Sequence, residues 1–173
     1  MMKKNSFVVL GVAMLTAMLC LTGCSRSGDG GATAEAGQEV AANALSASEI
    51  YDNIKAAYTL PDMYEADADW LMNYYGIDAG MLSDYVFAEA DEVHADRVII
   101  LNVADESNVP AVEEKLGAVL DQLQSPEMLS YLPDQADVIK AASIKKKGNI
   151  LYLVISADAD GIEGIIENGL LGK

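Results

Sequence analysis

The chain has 173 residues, 27 acidic and 11 basic with one histidine, a formal charge of −16 at pH 7. Such a field repels nucleic acid and attracts cations or basic peptides, so no nucleic-acid partner is expected. Both cysteines, Cys20 and Cys24, lie near the N-terminus, which leaves the rest of the chain without a disulfide, a zinc thiolate or a thiol nucleophile.

Lys3 and Lys4 form a positive n-region, and the apolar run from Phe7 to Leu21 is shorter than the roughly 20 residues a membrane-spanning helix needs. Leu21-Thr22-Gly23-Cys24 follows directly. These four residues resemble the lipobox of bacterial lipoproteins, a branched apolar residue followed by two small ones and a cysteine. The resemblance implies that residues 1–23 are a signal peptide and that Cys24 becomes the N-terminus, its sulfur alkylated by a diacylglyceryl group. Two acyl chains, at about 0.8 kcal/mol per CH₂, make a durable anchor where one exchanges. The expected location is the outer, extracytoplasmic face of the cell membrane, with the bilayer as partner through acylated Cys24. What remains after cleavage has nine basic and 27 acidic residues, a formal charge of −18.

Ser25 to Ala47, rich in Gly, Ala, Ser and Thr, reads as a flexible tether with a span of roughly 25–30 Å. Residues 24–47 are thus the lipidated cysteine and its tether, and 48–173 a single globular domain. Ser46 with Glu49 is a capping-box pattern, and Ile50, Ile54 and Ala57 repeat at helical spacing, predicting a helix over 47–58. Leu60-Pro61-Asp62 breaks it. Asp67 then caps a second helix carrying Leu71 and Tyr74 or Tyr75, closed by Gly76.

Asp84 to Ala90 alternates and Arg97 to Val103 is a β-branched run, predicting two antiparallel strands joined around Asp91 to His94. Val109, Val112, Leu116, Val119, Leu120 and Leu123 step by three and four, with Ser107 or Asn108 as cap and Pro126 as the end. A shorter helix follows over 133–142. Next, 142–146 and 149–156 flank Lys147-Gly148 as a hairpin, its second strand apolar on both faces. Asp158 or Asp160 caps a last helix that Gly169 stops. The predicted fold is α+β, a four-stranded antiparallel sheet in ββα-ββα order with helices packed on it, preceded by two N-terminal helices.

Tyr75-Gly76-Ile77-Asp78, Ala90-Asp91-Glu92, Tyr131-Leu132-Pro133-Asp134-Gln135 and Lys147-Gly148-Asn149-Ile150-Leu151-Tyr152 carry a wider likeness. From Tyr51 to Leu170 the chain resembles a family of bacterial lipoproteins, common in clostridia and related Gram-positive bacteria, that bears only a domain-of-unknown-function label. The resemblance implies a location and a fold, and brings no activity or site residues with it.

Nucleophilic catalysis needs a nucleophile, a base and an orienting group. His94, the sole histidine, sits among Asp91, Glu92 and Asp96 in a turn without a Gly-x-Ser-x-Gly or Ser-x-x-Lys motif. No cofactor is expected, since Gly-x-Gly-x-x-Gly and Walker patterns are absent. Asp158, Asp160 and Glu163 around Gly161 resemble part of a calcium loop, although helix capping explains the same residues better. Lys145-Lys146-Lys147 reads as a soluble edge rather than an anion patch. Eight tyrosines against two phenylalanines make Tyr131 and Tyr152, with Trp70, a candidate binding surface.

The reading is a non-catalytic protein or peptide interaction module, its partner an envelope protein or a basic peptide. The alternative is a lipoprotein that binds a small solute or a calcium-type cation. An envelope hydrolase is the third reading, for which carboxylates such as Asp67 and Asp69 are too common here to be informative.

Overall fold

Short-range hydrogen bonds set most element ends in the computed structural model, which describes residues 43–173. The signal segment, the lipobox with Cys24 and the tether up to residue 42 lie outside the described residues. Ser46 and Glu49 form the expected capping box, with bonds of 3.2 and 2.9 Å, and open α1 (Ala47–Ala57). Just before it, the Leu45 amide donates to the Gly169 carbonyl at 3.0 Å, so the last residues of the expected tether lie on the domain. Among the described residues no helix is long and apolar enough to cross a membrane.

The sheet is antiparallel throughout, but it has five strands rather than four. They are β1 (Met63–Glu65), β2 (Leu82–Ala90), β3 (Arg97–Val103), β4 (Lys145–Lys147) and β5 (Ile150–Ile155), in the order β1-β2-β3-β5-β4. β1 was hidden in the sequence because three residues show no alternation; it forms by pairing Met63, Tyr64 and Glu65 with Ala90, Glu89 and Ala88. It separates α1 from the next helix, so the two helices expected before the sheet have a strand between them.

Asp67 caps α2 (Ala68–Trp70) as expected, accepting from the Trp70 amide at 2.8 Å. The helix then widens into a π-helical turn, Leu71–Tyr75, and ends at Gly76, whose φ of 63° is the left-handed conformation that glycine adopts without strain. At α3 (Val109–Leu123), neither Ser107 nor Asn108 supplies the side-chain cap. Asp105 does so one turn earlier, accepting from the Ser107 amide at 2.9 Å. Pro126 does end α3, yet it also begins α4 (Pro126–Tyr131), where its missing N–H costs nothing and Ser125 caps. The helix expected over 133–142 is a 3₁₀ turn, Pro133–Gln135, followed by α5 (Ala136–Ala141).

Gly148, at φ 58°, turns the β4–β5 hairpin, and the Asn149 side chain bonds across to Asn102 at 3.0 Å and to the Val103 carbonyl. The last helix, α6 (Ala159–Leu170), passes through Gly169 instead of stopping there. Asp158 occupies its N-cap position without a side-chain capping bond, and Asp160 lies in the first turn.

Strand alternation splits the core into two layers. Phe87, Ile99, Leu101, Leu151 and Leu153 face α3, α5 and the π turn, while Val86, Ala88, Val98, Ile100 and Val154 face α1 and α6. β3 and β5 are covered on both sides, which is why their residues read as apolar without alternation. Gly169 lets α6 approach α1. A Cβ there would stand 2.6 Å from Ile50 Cγ1, so Gly169→Ala is expected to destabilise the domain by about 1–3 kcal/mol, read as a lower urea midpoint.

Candidate functional site

Along the sheet face that meets α3, β2 presents Tyr85, Phe87 and then Glu89, a carboxylate where the pattern calls for an apolar residue. Glu89 is 8% exposed. Its Oε1 accepts from the Trp70 indole N–H at 3.0 Å, its Oε2 from the Tyr75 hydroxyl at 2.5 Å, and Arg97 Nε of β3 stands 3.4 Å from Oε2. On a regular helix of 3.6 residues per turn, positions 70 and 75 would point about 140° apart. The π turn brings residues five apart onto nearly the same side, so both donors reach one carboxylate.

Arg97 is held in turn by the Ala95 and Asp96 carbonyls, which accept from Nη1 at 3.3 and 3.0 Å. Tyr75 stacks on Phe87 with ring centroids 4.6 Å apart. Burial, and then its bond to Glu89, push the Tyr75 phenol well above its ordinary range. The anchored Trp70 carries an exposed aromatic run. Tyr74 stacks on it at 4.0 Å and Tyr64 of β1 meets it at 4.9 Å, the two tyrosines 65% and 47% exposed.

Two adjoining grooves open here. One of about 530 Å³ is lined by Tyr64, Trp70 and Glu89 with Asp62. The other, about 300 Å³, lies under exposed Tyr131 beside Met128 and His94. Asp91, Glu92 and Arg97 line both. The loop that carries the two acids is clamped by Gln135, whose amide accepts from the Ala95 N–H at 2.7 Å and donates to the Val93 carbonyl at 2.9 Å. Within that loop His94 Nδ1 stands 2.7 Å from Asp91 Oδ1, and this bond is the main reason the Asp91 carboxyl is held below its ordinary value.

Trp70 and Tyr131 therefore come together on one face, joined by the Asp91–Glu92 loop. Tyr152 does not join them. It lies on the opposite sheet face, 4% exposed, its hydroxyl donating to Glu167 at 2.9 Å. Asp160 and Glu163 line a separate cleft whose cation is the protein's own: Lys145 Nζ is 2.5 Å from Glu163 Oε2. Among the described residues no three His, Cys, Asp or Glu side chains gather as a metal ion would require. Lys146 pairs with Glu113 at 3.1 Å.

The profile of a family described as a domain of unknown function, DUF4358, matches residues 56–156. The chain belongs to the DUF4358 family. Comparison with curated proteins gives no match, and neither does comparison with solved structures. The DUF4358 span contains the whole Glu89 cluster, all five strands and Tyr131, and stops before α6.

Glu89 and Arg97 were not singled out as site residues from the sequence. The signal for Glu89 was present as a charge on the apolar side of an alternating strand, which demands buried partners. Nothing in the sequence foretold the π turn that sets Tyr75 beside Trp70.

Removing Glu89 leaves Arg97 buried without its partner, so Glu89→Ala is expected to cost about 3–5 kcal/mol in denaturant unfolding. Tyr75 and Tyr152 both have phenols raised by burial and by a carboxylate acceptor. Such a group contributes stability that is complete below its unfolded pKa of about 10 and is lost as pH rises toward the folded value. Thermal melts are therefore expected to weaken above about pH 10. Tyr75→Phe should be less stable at neutral pH by about 1–3 kcal/mol and lose less on going to alkali.

Proposed function

We propose that this DUF4358 chain is a lipid-anchored, extracytoplasmic interaction module that holds a protein or peptide segment of the cell envelope on the Trp70–Tyr131 face. The observation that carries the reading is the exposed Tyr64–Trp70–Tyr74 run beside two connected grooves, fixed from beneath by a buried carboxylate. Large aromatic area with polar tips, held rigid before binding, is the usual composition of an interaction hot spot. An acidic rim of Asp62, Asp91 and Glu92 favours a basic partner.

The address rests on other residues. Lys3, Lys4, the apolar run and Leu21-Thr22-Gly23-Cys24 support a signal peptide, acylation of Cys24 and a lipoprotein of the clostridial, Gram-positive type. Anchored this way on the outer face of the membrane, the domain meets partners within the reach of its flexible tether.

Two measurements test the reading. A photo-crosslinking residue at Tyr74 or Tyr131 in living cells should trap a discrete envelope protein, and one at Asn53 on the exposed side of α1 should not. Equal or no trapping at all three positions would count against it. Cys24→Ala should abolish lipid labelling and release or mis-process the chain while its domain stays folded. Unchanged processing with full membrane retention contradicts the anchor.

A further inference from the structure

The two edges of the sheet are built differently. β4 is three consecutive lysines, two of them held by Glu163 and Glu113, and a lysine-covered edge resists pairing with another chain. β1 carries no lysine of its own, and its Tyr64 and Glu65 are exposed. The Ala66 amide donates to the Phe87 carbonyl at 2.8 Å, which in this register makes Ala66–Phe87 and Tyr64–Glu89 the bonded pairs. The main-chain N–H and C=O of Met63 and Glu65 therefore point outward, and no described residue bonds to them.

A groove lies on each side of that edge. On the Trp70 side is the groove of about 530 Å³, and on the α1 side one of about 400 Å³ lined by Tyr51, Tyr58 and Leu60. Both include Asp62 and Met63. A strand added to β1 would send alternate side chains into the two grooves.

The charges differ between them. The Trp70 groove holds Asp62, Glu89, Asp91 and Glu92 against Arg97 alone, and Arg97 is already committed to Glu89. It suits an arginine or lysine beside the Tyr64 and Trp70 rings. On the α1 side, Lys55 is tied to Asp52 at 3.0 Å and Glu65 at 3.6 Å, leaving apolar and hydroxyl surface for the intervening side chains.

We propose that β1 is a strand-addition site for an extended basic peptide segment of a partner protein, with main-chain bonds to Met63 and Glu65 and cationic side chains in the Trp70 groove. The proposal rests on the interaction-module reading and adds the partner's conformation and charge. Main-chain pairing supplies affinity in this mode and alternate pockets supply specificity.

The test uses the full-length chain in detergent micelles, with emission from Trp70, its single tryptophan, reporting occupancy. The probe is a capped heptapeptide alternating threonine and arginine, compared with its threonine–glutamate counterpart and with arginine amide. Saturable binding of the arginine peptide is expected, roughly tenfold or more tighter than arginine amide, with none for the glutamate peptide. Glu65→Gln loses the same carboxylate and its pairing with Lys55. Compared with it, Glu65→Pro removes an outward N–H without touching the bonds to β2, and should weaken the arginine peptide roughly tenfold further. Glu92→Gln, in an exposed turn, should weaken it several-fold without involving the strand.

Equal affinity for Glu65→Pro and Glu65→Gln, with their unliganded spectra and melts unchanged, overturns strand addition. So does arginine amide binding as well as the peptide. Equal binding of the glutamate peptide, or no binding of the arginine peptide, overturns the proposal as well. If crosslinks from Tyr74 and Tyr131 persist in those cases, the interaction module stands without this mode of engagement.

Discussion

The arrangement around Glu89 depends on a single awkward fact, a carboxylate buried on the apolar side of a strand. Left unpaired, such a group would be strongly destabilising, so everything near it is organised to satisfy it. Trp70 and Tyr75 come from one helical segment and Arg97 from β3, and Glu89 is where they meet. The π turn, itself a departure from the better-packed α-helix, is tolerated because it delivers two donors to that carboxylate. The result is an aromatic run whose inner end is fixed and whose outer rings are free.

That fixed inner end matters for recognition. Ordering side chains on binding costs roughly 0.5–1.5 kcal/mol for each one immobilised, and a tryptophan already bonded to Glu89 has met that cost in folding. The Gln135 clamp does the same for the acidic loop between β2 and β3, tying it to the turn that follows Tyr131. A stretch of sequence that looked like a family marker, Tyr131 through Gln135, thus has a mechanical reason: its tyrosine faces the groove and its glutamine holds the opposite wall.

Much of the fold was legible because its signals are local or periodic. The Ser46–Glu49 box, the spacing along α3 and the doubly apolar β5 each constrain an element without reference to the rest of the chain. What was hidden depends on partners far away in sequence. β1 exists only because β2 offers it an edge, and Pro126 reads equally well as the end of one helix or the start of another. The site shows the same division. Trp70 and Tyr131 were visible as aromatic residues in an acidic chain, whereas Tyr152 was misplaced on that surface because strand parity alone does not tell which face is open. Asp158, Asp160 and Glu163 held only part of a calcium-loop pattern, and in the fold Lys145 pairs with Glu163.

Glu89 holds the aromatic platform in place, and acrylamide quenching of Trp70 in the native chain and in Glu89→Gln, with circular dichroism confirming that the sheet is retained, reads that restraint. Restricted quenching in the native chain and a clear rise in the variant are the predicted result. Equal quenching in the two folded proteins would mean that Trp70 is held by something other than Glu89.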